Sequence, residues 1–308
     1  MQTDHSFSRK DFLRSCALLM GGAFGLSSFG INAAVKPKLA FSTLGCPDWD
    51  LLKITSFARA NGYTGLELRG IQREMNLPQS PAFSSAANIA QTKKLMKEKG
   101  LKFVGLGSSS TLHFADPSER KKQLDEGRRF IDLAQQLECP YVRVFPNNLP
   151  KDQDRQQTLD LITRGLTELA DHCKGSNVTV LMETHGDLVY TADILQVMNA
   201  VKHPHAALLW DVANMWTITG EDPVDVYRQL KPFIRHVHVK DARKNGDKLE
   251  YTLLQKGDVP IMKAIDAMAA GGYKGYYSFE WEKLWHPEIM EPEIALADFP
   301  AVMKNHFK

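Results

Sequence analysis

Four apolar runs in this chain each end in one side chain of a type that binds metals or moves protons. Val178-Thr179-Val180-Leu181-Met182 ends in Glu183, Ala207-Leu208-Leu209-Trp210 in Asp211, and Tyr276-Tyr277-Ser278-Phe279 in Glu280. The fourth alternates Ile234, His236 and His238 with Arg235, Val237 and Val239, the period-two pattern of a strand, and then meets Lys240, Asp241 and Arg243. Burying a carboxylate is costly unless it is paired or bound to a cation. A single such acid suits a helix N-cap or a salt bridge, and the charged tail of the fourth run, taken alone, suits an edge strand. Three acids and a His, spaced as β/α units require, converge on one point only if their strands share a closed barrel. That point would suit a divalent metal held by Glu183, Asp211, His238 and Glu280.

The rest of the chain has the rhythm such a barrel needs. Strands are expected at 39–43, 64–68, 102–106, 141–145, 178–183, 207–211, 234–239 and 276–280. Helical segments between them carry start and stop signals: Asp48-Trp49 and Gly62, Ser85 and Gly100, Asp116-Pro117, Thr191, Asp222-Pro223, Gly271-Gly272. Residues 107–111 read as a polar loop, and a last helix is expected to close the chain near Phe299. Lys244-Asn245-Gly246-Asp247 lies between alternating segments, so 241–256 is expected to be a hairpin. The expectation is a single (β/α)8 TIM barrel with a hairpin insertion after strand seven. No Gly-x-Gly-x-x-Gly follows the first strand and no Gly-x-x-x-x-Gly-Lys-Ser/Thr is present, which counts against a doubly wound nucleotide-binding sheet.

The first residues differ in character. Ser8-Arg9-Lys10-Asp11-Phe12-Leu13-Arg14 precedes a mild apolar run and a Gly/Ser-rich stretch, a pattern that resembles a twin-arginine export signal with Lys10 in place of the second Arg. Residues 1–35 are therefore read as a cleaved export signal and 36–308 as the catalytic barrel, which makes the expected location periplasmic. Arg14-Ser15 before Cys16 does not suit lipid attachment, and Cys46, Cys139 and Cys173 form neither a disulfide framework nor a metal motif. The net charge of +2 gives no electrostatic case for nucleic acid, and no apolar run is long enough for a stable membrane span. The partners left are a small-molecule substrate and further copies of the chain.

Leu181-Met182-Glu183-Thr184-His185, Trp210-Asp211-Val212-Ala213-Asn214, His238-Val239-Lys240-Asp241-Ala242-Arg243 and Ser278-Phe279-Glu280 resemble the xylose isomerase-like barrel superfamily. Within it they look most like the sugar isomerases and epimerases that include ketose 3-epimerases and inosose dehydratases. Thr43-Leu44-Gly45-Cys46-Pro47 and Gly65-Leu66-Glu67-Leu68-Arg69 fit the same pattern, so the resemblance spans the chain after the signal. It implies one divalent ion (Mn, Mg or Co, with Zn also compatible) on Glu183, Asp211, His238 and Glu280. It further implies that Glu183 and Glu280 are catalytic and act on opposite faces of a bound sugar, moving a carbon-bound proton beside a polarised carbonyl.

Arg243 matches the family's His-x-x-Asp-x-x-Arg element with one residue fewer and is assigned to substrate oxygens. Asn214 stands where many relatives carry a His; it keeps hydrogen-bonding capacity but removes an acid or a second metal ligand. His185, Lys240, His113, Arg69 and Trp216 complete the candidate substrate contacts. Arg143, Trp281 and Trp285 are further candidates at strand ends, whereas His236 reads as barrel interior. The expected function is a metal-dependent isomerase or epimerase of a non-phosphorylated keto-sugar, acting through an enediolate. The alternative is a dehydratase or lyase on a keto-inositol or keto-glycoside. An abasic-site endonuclease would need further histidines where Arg69 and Asn214 stand, and a non-catalytic sugar-binding barrel would not need the intact quartet.

Overall fold

The computed structural model describes residues 36–246 and 248–308, and residues 36–308 form one compact unit. The expected export signal and Cys16 lie outside the described residues. Eight parallel strands close in the order β1, β10, β7, β6, β5, β4, β3, β2. They are β1 (Lys38–Ser42), β2 (Gly65–Leu68), β3 (Lys102–Thr111), β4 (Tyr141–Phe145), β5 (Thr179–Glu183), β6 (Ala206–Asp211), β7 (Ile234–Val239) and β10 (Tyr276–Phe279). The remaining two, β8 (Asp241–Asn245) and β9 (Lys248–Thr252), pair antiparallel as the expected insertion after strand seven.

The helices begin where the sequence offers oxygen caps. Asp50 Oδ1 accepts the Lys53 amide at 2.7 Å at the start of α1 (Leu51–Ala60), and Ser85 Oγ accepts that of Asn88 at 3.1 Å before α2 (Ala86–Glu98). Asp116 caps α3 (Pro117–Leu137) and Asp154 caps α4 (Arg155–His172) in the same way. After these come α5 (Thr191–Val201), α6 (Val212–Thr219), α7 (Pro223–Leu230), α8 (Ile261–Ala270) and α9 (Pro292–His306). The helices cover the outer face of the barrel with the main apolar core, while Leu181, Ala207 and Leu209 form a separate small cluster with Tyr141 against it. Two residues further along β5 and β6 the same faces carry Glu183 and Asp211. The interior thus changes from apolar to ionisable within one step of the pleat.

The structure departs from the expected boundaries at several points. Residues 107–111 are strand rather than loop: Ser108 Oγ donates to the Arg143 carbonyl at 2.6 Å and Ser110 Oγ to that of Gln123 at 2.7 Å. The register with β4 slips between Gly107 and Thr111 to accommodate this. Thr191 is the first residue of α5 rather than its cap, because its hydroxyl donates to Glu221 Oε2 at 2.8 Å. Asp50, not Asp48, caps α1, since Asp48 is paired with Arg73. The helix α6 was not expected, and α9 continues past Phe299 to His306 through Pro300.

Candidate active site

The carboxyl ends of β5, β6, β7 and β10 bring Glu183, Asp211, His238 and Glu280 together. One ligand atom from each lies within 4.8 Å of the others, and all four residues are buried. His238 Nδ1 is 3.2 Å from Glu280 Oε2, 3.4 Å from Glu183 Oε1 and 3.7 Å from Asp211 Oδ2. The parallel register enforces this convergence by setting Asp211 opposite His238 across β6 and β7. Asp211 also serves a local need: its Oδ1 accepts the Asn214 amide at 2.8 Å and caps α6, which leaves Oδ2 for the site.

The donor chemistry fits a divalent cation. His238 Nδ1, Glu183 Oε2 and Asp211 Oδ2 are buried without an aligned hydrogen bond among the described residues, although Arg143 and Lys240 approach the two oxygens. Three carboxylates and an imidazole suit a hard or borderline metal. Behind them, Glu67 accepts from His238 Nε2 at 2.8 Å, from His236 Nε2 at 2.8 Å and from Ser278 Oγ at 2.8 Å. A carboxylate behind a ligating imidazole fixes its ring orientation.

Three cations surround the quartet. Lys240 Nζ lies 2.8 Å from Asp211 Oδ2, 2.7 Å from Glu280 Oε2 and 2.6 Å from Glu282 Oε1. Arg143 Nε lies 3.1 Å from Glu183 Oε2, and the Arg69 guanidinium donates to the Gly107 carbonyl at 3.2 Å and to Ser109 Oγ at 2.9 Å. Burial alone would raise the Glu183 and Glu280 carboxyls. Arg143 and His238 outweigh it at Glu183, and His238 and Lys240 do so at Glu280, so both are held below the ordinary carboxylate range. Burial likewise opposes the charge on His238, yet Glu280, Glu67 and Glu183 around it hold its pKa well above the usual imidazole value. Glu282 goes the other way, because burial there exceeds the help from Lys240.

Above the quartet opens a cavity of about 360 Å³ whose wall includes Glu183, Glu280, His185, Asn214, Lys240 and Arg69. His185 Nδ1 is 2.8 Å from Asn147 Oδ1, an acceptor, so Nδ1 carries the hydrogen. Burial keeps that ring neutral, which leaves Nε2 as an acceptor for a substrate hydroxyl. A larger cavity, about 950 Å³, sits at the opposite end among the strand starts Lys38, Lys102, Tyr141 and Tyr276 and gathers no carboxylate–imidazole cluster among the described residues.

Three residues expected at the substrate are placed elsewhere. Arg243 is exposed on the outer part of the hairpin, where it donates to the Lys256 carbonyl at 2.7 Å. Trp216 is carried by α6 onto the core, with Lys244 Nζ 5.5 Å from its ring. His113 follows the extended β3 and stacks on Phe114 at 4.2 Å. None of the three lines the cavity. In their place the wall contains Glu282 and Tyr251, which sequence reasoning missed. Glu282 had a signal, since it follows Glu280 by two; Tyr251 had none, because it arrives from the hairpin.

Comparison with known proteins agrees with this architecture. The family model described as xylose isomerase-like TIM barrel matches residues 56–299. A 3-dehydroshikimate dehydratase of Bacillus anthracis is 26% identical over 194 residues, 61% of this chain and 65% of that protein. The matched part thus spans less than two thirds of the relative's length. A 3-keto-D-glucoside 4-epimerase from E. coli superposes with a TM-score of 0.70 at 16% identity, over 88% of this chain and 100% of the other. A Mycobacterium smegmatis barrel solved in complex with magnesium superposes with a TM-score of 0.67 at 17% identity, over 89% and 97%. These two likenesses establish the fold. With the family model matching most of its length, the chain belongs to the xylose isomerase-like TIM barrel family.

Proposed function

We propose that this protein is a divalent-metal-dependent sugar isomerase or epimerase that removes the proton beside the carbonyl of a small hydroxylated ketone. The observation that carries this reading is the position of Glu183 and Glu280. Both belong to the metal-ligand quartet, both line one small cavity, and both are held ionised by neighbouring cations. When bound, the cation supplies the positive charge that makes a neighbouring C–H acidic. Glu183 accepts the proton on one face of the substrate and Glu280 delivers one from the other. His185 accepts a substrate hydroxyl through Nε2, Asn214 hydrogen-bonds another oxygen, and Lys240 holds Asp211 and Glu280 in place. The family's epimerases, the magnesium-bound neighbour and the near-neutral charge of the chain all support this reading over nucleic-acid cleavage.

A second reading is favoured by one specific observation: the sequence relative described above is a dehydratase. Epimerisation and dehydration share the first proton removal and differ in whether a hydroxyl leaves the next carbon. The proposal extends to location, with the twin-arginine-like segment directing export to the periplasm. An Arg9→Lys chain that is still exported normally would exclude that route.

The test of the activity is incubation with Mn²⁺ in D₂O of a panel containing D-fructose, D-tagatose, 3-keto-glucosides and 3-dehydroshikimate. Deuterium at the carbon beside the carbonyl is the expected result, and the product identifies epimerisation or dehydration. Absence of both exchange and water loss for every member with metal-loaded protein would remove both readings.

A further inference from the structure

Among the cavity's three cations, one has no carboxylate of the described residues in direct contact. Lys240 has Asp211, Glu280 and Glu282 within 2.8 Å, and Arg143 has Glu183 at 3.1 Å. Arg69 is 6% exposed, lines the cavity, and meets only the neutral acceptors Gly107 O and Ser109 Oγ; no carboxylate of the described residues comes within 4.0 Å of it. A buried guanidinium without an anion is a costly arrangement. Burial and the adjacent Arg143 draw its pKa down to about 9, against the more distant Glu183, Glu126 and Glu280, which act to raise it.

The second guanidinium is also incompletely used. Arg143 is 4% exposed, and its Nη1 and Nε are buried with no aligned hydrogen-bond partner among the described residues. The two groups lie side by side because residue 107 has no side chain: a Cβ there would stand 2.7 Å from Arg69 Cδ and 2.9 Å from Arg143 Nη2. Phe145 supports Arg143, with its ring centre 3.7 Å from the guanidinium carbon. Two like charges stand side by side on the cavity wall with Glu183 the one acid in direct contact with the pair among the described residues, an arrangement that favours a further anion.

We infer that the substrate carries a carboxylate, seated on the paired guanidiniums of Arg69 and Arg143 at the cavity wall, so that the reacting ketone is a hydroxylated keto acid. This rests on the functional reading given above and adds its substrate class. A carboxylate suits the pair better than a phosphate because Arg143 already contacts Glu183 and Arg69 alone of the two has no carboxylate of the described residues within 4.0 Å, so a monoanion matches it. Arginine's planar fork holds a carboxylate through two parallel N–H···O bonds, which also orients the carbonyl relative to Glu183 and Glu280.

The test compares binding of 3-dehydroshikimate with its methyl ester, 5-keto-D-gluconate with L-sorbose, and D-fructose with D-fructose 6-phosphate, by calorimetry on Mn²⁺-loaded protein. At least one carboxylated ligand is expected to bind roughly 30-fold or more tightly than its neutral counterpart, the loss that follows from leaving a buried charge unpaired. Arg69→Gln is expected to abolish that preference, and Arg69→Lys to restore part of it, while Mn²⁺ affinity and the melting temperature of both variants stay near wild type. Equal binding of charged and neutral partners overturns the inference, as does preferential binding of the phosphate ester or a preference that survives in Arg69→Gln. If Arg69→Gln does not fold, the ligand comparison on the wild-type protein decides alone. Deuterium exchange confined to neutral ketoses would keep the functional reading and sink the carboxylate. Absence of both exchange and water loss with every ketone would sink the reading itself.

Discussion

A carboxylate only accepts hydrogen bonds, so the three groups that reach Glu67, namely His236 Nε2, His238 Nε2 and Ser278 Oγ, must all donate to it. His238 is thereby turned with Nδ1 toward Glu183, Asp211 and Glu280. Burial alone would raise the Glu67 carboxyl, but His238 and His236 more than offset it and hold it below the ordinary carboxylate range. Because the folded-state pKa is depressed, the stability this group contributes is present above about pH 4.3, the unfolded value, and is lost as pH falls through the folded one. Glu67→Gln is expected to cost roughly 3 kcal/mol at pH 7 by breaking a buried pair. It should also flatten the acid limb of the stability profile, read by urea titration from pH 7 to pH 3. Mn²⁺ affinity should drop about 10- to 100-fold. An unchanged affinity would show that His238 keeps its orientation without this support. The pairing was partly legible beforehand: period two puts Glu67 on the face opposite Leu66 and Leu68, but the sequence does not say which imidazoles cross the barrel to meet it.

Among the elements, the β8–β9 hairpin decides where the charges after β7 go. Asp241 turns away from the cavity, and its carboxylate accepts the amides of Ala242 at 2.8 Å, Gly257 at 3.0 Å and Val259 at 3.2 Å. It thereby ties the base of the hairpin to the segment leading into α8. Gly257 allows this approach, since a Cβ there would lie 2.5 Å from the Ala242 carbonyl oxygen. Gly257→Ala is therefore expected to displace the hairpin and with it Tyr251. Apparent KM should rise several-fold while Mn²⁺ affinity stays near wild type, which kinetics and metal titration measure together. A parallel loss of metal would mean that the hairpin supports the quartet directly. The same element explains Arg243: a family pattern assigned it to substrate, but antiparallel pairing carries it outward. Likewise Asp211-Val212-Ala213-Asn214 read as a site motif, and its second function, opening α6 toward the stop at Gly220, was hidden by the first.

At the scale of the whole molecule, closure of eight strands is what turns four distant strand ends into one polyvalent donor set. That closure was legible because most strands are apolar runs and most of the helices between them carry a start or stop residue. The quartet was legible because an acid that ends a buried strand needs a cation. Tyr251, delivered by the β8–β9 hairpin, shares no period with the barrel strands and could only be placed by the fold, whereas Glu282 carried a signal in its spacing from Glu280. The buried thiols of Cys139 and Cys173, both pushed up to about 12 by burial, are expected to resist alkylation until the barrel unfolds, and rapid labelling of either in a Cys16→Ser chain would contradict the packing described. The central claim is that Glu183, Asp211, His238 and Glu280 hold one divalent ion on which proton transfer depends. The most direct measurement is metal content after dialysis against Mn²⁺ and gel filtration, for the wild type and for Glu280→Gln, alongside a thermal melt to confirm that the variant is folded. The account predicts about one ion per wild-type chain and a large loss in the folded variant; full metal content in Glu280→Gln would contradict it.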